Sequence, residues 1–129
     1  MNNYQYYQPN SKDLKDKYGD CVMRALTKVL NRTWLEIFDA IVPISRELQC
    51  PYNSKTCYET FLRINGFEYT GISNKKGSKR PTVKEFALKH RIGTYYLNLA
   101  NHCVAVVNGI YYDTWDCGSS CLYGFWTKL

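Results

Sequence analysis

At 129 residues, with 17 Lys and Arg against 11 Asp and Glu and a formal net charge of +6, the chain predicts a single domain, 1–129, that buries roughly two-thirds of its unfolded surface in one core. No run approaches the ~20 apolar residues that cross a bilayer, and Met1 to Tyr7 has no basic segment leading into an apolar one, so the reading is a soluble, cytoplasmic protein with no membrane partner. The positive balance by itself selects no partner class.

The first 17 residues are polar, with Gln8, Asn10, Lys12, Asp13, Lys15, Asp16 and Lys17, and either fold back or are mobile. After Asp20 the apolar residues Val22, Ala25, Leu26, Val29 and Leu30 recur with the spacing of one buried helical face, with Asp20 as N-cap and Cys21 at the open end. Thr33 and Glu36 form a capping box for a second helix over Trp34, Ile37, Phe38 and Ile41, broken or kinked near Pro43. A third helix is predicted from about Ser54 to Ile64, stopped by Asn65-Gly66, and a short strand from Phe67 to Ile72. Thr82 and Glu85 start a fourth helix over Val83, Phe86, Ala87 and Leu88, followed by a strand from Thr94 to Leu99. Two β-prone runs, Cys103 to Val107 and Ile110 to Trp115, flank Asn108-Gly109, the strongest short-range hairpin signal. Leu122 to Trp126 adds a last strand. Helices first and hairpin-connected strands after is an α+β order, with helices packed on a C-terminal antiparallel sheet.

The two-residue turn sets the hairpin register: Val107 opposite Ile110, Val104 opposite Asp113, His102 opposite Trp115. His102, Asp113 and Trp115 then share one face, and His102 and Asp113 are diagonal neighbours at roughly 7 Å between Cα atoms, within reach of a carboxylate–imidazole hydrogen bond. Asp116 falls on the other face unless a bulge flips the parity, and Cys103 points into the core. At the start of the first helix, free backbone N–H groups and the positive end of the macrodipole favour a Cys21 thiolate, and a nearby imidazolium would lower its pKa further. The Asp20 carboxylate is expected to point at its own helix. Cys21, His102 and Asp113 are therefore the candidate catalytic residues: thiolate nucleophile, proton carrier, and holder of the imidazole tautomer. Trp115 is placed to shield the His102–Asp113 bond from water, or else is an ordinary core tryptophan. Arg24, one turn beyond Cys21, is read as a buried ion-pair partner.

The segments Gly19-Asp20-Cys21-Val22-Met23-Arg24-Ala25-Leu26, His102 to Gly109, and Tyr112-Asp113-Thr114 resemble papain-like cysteine peptidases, in particular small phage and bacterial proteins of the C39-like branch, over about residues 18 to 126. The resemblance implies a papain-like α+β fold and a thiol hydrolase, whether peptidase, amidase or acyl transferase, acting on a protein or peptide substrate, in the bacterial cytoplasm if phage-encoded. The family usually carries a glutamine shortly before the cysteine as an oxyanion donor. Here Lys15 stands six residues before Cys21, and the nearest upstream amides are Gln8 and Asn10. Lys15, Gln8 and Asn10, with Trp115, are the oxyanion and substrate candidates, or the donor is absent. The alternative is a catalytically weak or inactive scaffold that binds a host protein through its tyrosine-rich surface.

No cofactor and no metal are expected. The five cysteines other than Cys21 read mostly as small buried apolar residues; Cys117 and Cys121 have a plausible gap for zinc, but Cys50 and Cys57, which would complete the set, are too widely spaced for a structural site. The basic run Asn74 to Pro81 reads as a solvated loop, or one flanking a substrate cleft, rather than a phosphate grip, so nucleic acid is not an expected partner. The oligomeric state is not legible.

Overall fold

The computed structural model describes residues 2–15, 17–73 and 79–128, so most of the basic run, residues 74–78, lies outside the described residues. Among the described residues are four helices, α1 (Cys21–Leu30), α2 (Trp34–Leu48), α3 (Lys55–Ile64) and α4 (Val83–Lys89). They surround six strands, β1 (Tyr4–Tyr6), β2 (Phe67–Gly71), β3 (Thr94–Leu99), β4 (His102–Val107), β5 (Ile110–Asp113) and β6 (Leu122–Lys128), in the sheet order β1-β5-β4-β3-β6-β2. The fold is α+β. No helix among the described residues is long and apolar enough to cross a membrane.

The local signals act as their chemistry requires. Thr33–Glu36 and Thr82–Glu85 form complete capping boxes at α2 and α4. Asn108 and Gly109 both take positive φ, 49° and 83°, which matches the twist of a two-residue hairpin. The β4–β5 ladder has the predicted register, Val107 with Ile110 and Val106 with Tyr111.

Three features depart from the sequence reading. The sheet is mixed rather than antiparallel, because Tyr4–Tyr6 pairs parallel to β5. This strand lacks both apolar alternation and a turn to a neighbour, so it exists only by docking. The Tyr7 N–H donates to Asp113 O at 2.9 Å, the Tyr111 N–H to Asn3 O at 3.0 Å, and the Tyr4 hydroxyl to Asp113 O at 3.0 Å. Secondly, α2 continues through Pro43 to Leu48. Proline removes only one ladder hydrogen bond, and buried Ile37 and Ile41 hold the turns before it against the core. Thirdly, β5 ends at Asp113, so Trp115 lies beyond the ladder.

The sheet is covered on both faces. Met23, Leu26, Ile37, Ile41, Phe61 and Leu62 from α1 to α3 pack with Cys103, Ala105, Tyr96 and Trp126. Val83, Phe86 and Ala87 of α4 pack with Val104, Val106, Leu97 and Tyr111 on the opposite face. Burial on both sides explains why β4 reads as an unbroken apolar run rather than an alternating one. Each large side chain so buried stabilises the fold by about 1.5–3 kcal/mol. His102 opens β4 at the end of this two-sided core, where α1 also begins.

Candidate active site

His102 enters β4 from the turn Ala100-Asn101, with Asn101 in the left-handed region at φ 52°. Its ring nitrogen Nε2 lies 2.6 Å from Asp113 Oδ2, the diagonal contact that the hairpin parity predicts. Asp113 is fully buried, and its other oxygen, Oδ1, meets Arg24 Nη2 at 3.0 Å and accepts the Thr114 N–H at 2.7 Å. A carboxylate with an imidazole, a guanidinium and an amide around it stays ionised although buried. Burial works against the charge, but His102, Arg24 and the Thr114 amide outweigh it and hold the Asp113 carboxyl below its usual range. Arg24 is 7% exposed and takes the internal ion-pair role read from the sequence. Asp116 stays out of the site: it accepts from the Tyr111 hydroxyl and from the Gly118 N–H.

Cys21 is the first residue of α1 and is partly exposed. Its neighbours are the Cys103 thiol and the His102 ring. The Cys103 thiol beside it is the largest influence on its acidity; burial opposes, and the neighbouring His102 ring adds to the lowering, so the Cys21 thiol titrates at about 4. The imidazole answers in the other direction. Burial disfavours its charge, but the Asp113 carboxylate that accepts its N–H, the nearby Cys117 and Cys21 sulfurs and the Asp113 charge raise it to about 11. Between those limits the pair is a thiolate beside an imidazolium. With Nε2 committed to Asp113, the ring's Nδ1 is the nitrogen left for the sulfur.

Asp20 does not cap α1. Its Oδ2 instead accepts the Trp34 indole N–H at 2.7 Å, and no side chain hydrogen-bonds the first turn. Trp34 is itself held in α2 by stacking on Phe38, with ring centroids 5.2 Å apart, so its indole N–H directs the carboxylate toward α2. The correction favours the thiolate, since the unpaired N–H groups of the first turn remain available to an anion.

Of the oxyanion and substrate candidates, Gln8 and Lys15 line a cavity of about 320 Å³ together with Cys21, His102 and Trp115. The Gln8 side-chain N–H reaches Lys15 O at 3.5 Å, a contact at the limit of hydrogen bonding, and its carbonyl accepts the Asn10 N–H at 3.1 Å. Asn10 is not among the residues lining that cavity, and its own Oδ1 accepts the Lys12 N–H at 2.9 Å. Trp115 is half exposed, with its ring centroid 5.0 Å from that of His102, so it covers the imidazole without being part of the ladder. Two further cavities, about 520 and 490 Å³, meet the first at Asn101 and His102. A cleft therefore passes over the ring.

Sequence reasoning missed Cys103 and Cys117 as members of this constellation. Cys103 does enter the core, as its parity requires, but that core face is the one α1 covers, so its buried thiol also meets Cys21. Burial raises the Cys103 pKa well above the ordinary value, which keeps it a neutral donor. Cys117 is fully buried, and one donor atom each of His102, Asp113 and Cys117 lie within 4.8 Å of one another. Those are metal-ligand types. However, Asp113 already faces the Arg24 guanidinium and His102 Nε2 already faces Asp113, a set arranged for hydrogen bonding rather than for a cation. Cys57 and Cys117 belong to core clusters on opposite faces of the sheet, so the four cysteines weighed for zinc do not converge.

No family model matches the chain, and no curated protein or solved structure matches it either.

Proposed function

We propose that the chain is a papain-like thiol hydrolase, a peptidase, amidase or acyl transferase that works on a protein or peptide substrate. The observation that carries this reading is the Cys21–His102–Asp113 constellation: a low-pKa thiol at an uncapped helix start, beside an imidazole held by a buried carboxylate. The order along the chain, nucleophile opening the first helix and histidine opening a strand of a later sheet, supports the papain-like assignment.

The Cys21 thiolate attacks the carbonyl carbon and forms a tetrahedral oxyanion. The Cys21 backbone N–H and the Gln8 side-chain amide are the donors for that oxygen, and one such donor is worth roughly 10²–10³ in rate. Collapse expels the leaving amine or alcohol, which takes its proton from His102 Nδ1. Water then gives its proton to the same nitrogen as it attacks the thioester, and the acid product leaves with the thiolate restored. Asp113 keeps Nε2 protonated and the ring in place throughout. Arg24 is a positioning residue, since it touches Asp113 and not the reacting atoms.

The test is alkylation of Cys21 by iodoacetamide, followed by peptide mapping, alongside cleavage of a peptide library. Labelling that persists at pH 5 and cleavage lost in Cys21→Ala support the hydrolase. Rapid labelling with no Cys21-dependent turnover of any library member would leave the binding scaffold as the better account, and slow labelling at every pH would end both the ion pair and the reaction.

A further inference from the structure

Arg80 is the last cation of the basic run and, among the described residues of that run, the one that lines the cleft. Its guanidinium carbon sits over the Tyr123 ring, 4.7 Å from the ring centre, a cation–π contact. Arg80, Tyr123 and Trp115 line the cavity of about 490 Å³ that contains His102 but not Cys21. Among the described residues no acidic side chain lines that cavity, and the buried Arg80 Nε has no hydrogen-bond partner.

A cavity that reaches the imidazole without reaching the sulfur lies on the side where His102 gives its proton to the departing group. The half of the substrate released first therefore occupies it. A guanidinium over an aromatic ring, with no competing carboxylate among the described lining residues, is chemically suited to a carboxylate. We propose that Arg80 and Tyr123 form a leaving-group subsite for a carboxylate, so that the substrate is an amide whose leaving half bears an acidic side chain or a free terminal carboxylate close to the scissile bond. The proposal rests on the hydrolase reading for its orientation. The carboxylate preference is a separate physical claim and can fail by itself.

The experiment uses the full chain as Cys21→Ala, to prevent turnover, and follows the Arg80 Nε–H and Trp115 indole N–H resonances during titration with short blocked peptides. One set carries glutamate or glutamine with an amidated C-terminus, and a second carries alanine with a free or an amidated C-terminus. The expected result is that at least one carboxylate peptide binds about tenfold more tightly than its neutral partner, the effect of roughly one charge-assisted hydrogen bond, and moves both resonances. The glutamate set and the free-acid set separate a side-chain from a terminal carboxylate. Arg80→Gln in the same background should bring the members of each pair to within about twofold. Equal affinity of acidic and neutral peptides before that change, or no binding of either, overturns the subsite. Because the measurement needs no turnover, its outcome stands whether or not peptide cleavage is found.

Discussion

Two cysteines of this chain sit in the first turn of a helix, each near a second thiol, yet they have opposite chemistry. Cys21 opens α1 beside Cys103 and titrates at about 4; Cys57 lies in the first turn of α3 near Cys50, and burial, followed by that neighbour, pushes it up to about 11. A helix start is therefore not an activating environment in itself. At α3 the Ser54 hydroxyl caps the first turn by accepting the Cys57 N–H at 3.3 Å, and Cys57 is fully buried among apolar side chains. At α1 the cap is missing, the sulfur is partly exposed, and an imidazole is at hand. A neighbouring thiol also has no fixed sign: Cys103 lowers Cys21, whereas Cys50 raises Cys57. The sign follows which of the two sulfurs carries the charge, and the imidazolium assigns it to Cys21.

The sharpest way to break this contrast is at Asp113. Asp113→Asn keeps the shape of the carboxylate but removes its charge and offers His102 the wrong hydrogen-bonding partner, so turnover should fall about 10⁴-fold. An unchanged rate in a peptide-cleavage assay would mean that the Asp113–His102 bond is structural only. Next in size, native protein treated with iodoacetamide at pH 5 should label Cys21 at least about 10²-fold faster than Cys57 by peptide mapping, with Cys57 reacting only on unfolding. Comparable rates at the two positions would remove the contrast altogether.

His102→Ala should lower Cys21 labelling at pH 5 about tenfold or more, a net figure because a more basic thiolate is also a better nucleophile. The shape is the stricter criterion: a profile nearly flat above about pH 5 should gain a rising limb at higher pH, still below the ordinary thiol range because Cys103 remains. Cys103→Ala should move the same limb upward at least as far as His102→Ala does, since it removes the largest single influence on that sulfur. A wild-type limb that stays near pH 4 in this variant would assign the whole effect to His102.

The smallest effect is on stability. The His102 pKa is raised from 6.5 to about 11, so its contribution is full below pH 6.5 and fades as pH rises through about 11. The Cys21 pKa is lowered from 9.0 to about 4, so its contribution is full above pH 9 and fades as pH falls through about 4. Together the pair should give a level contribution between about pH 6.5 and 9 with declines on either side, read as urea midpoints across pH. In the doubly substituted Cys21→Ala, His102→Ala protein those declines should shrink.

Much of this site was legible because its geometry is short-range. Asn108-Gly109 fixes the hairpin register, and register alone brings His102 onto the face of Asp113. The capping boxes at Thr33 and Thr82 likewise depend on residues three apart. Where local preference met a distant competitor, the distant partner won. Asp20 is a good N-cap by type, yet the Trp34 indole takes its carboxylate from 14 residues away.

The sequence by itself determined which residues could react and how the hairpin aligns them, because periodicity, turn chemistry and capping are interactions between near neighbours. The tertiary structure alone decided that Tyr4–Tyr6 docks beside β5 with Gln8 following it to the cleft, that Cys103 lies under Cys21, and that Arg24 completes the Asp113 carboxylate. Those contacts join residues about 80 to more than 100 positions apart, and their energies come from burial and desolvation, which exist only once the two faces of the sheet are covered.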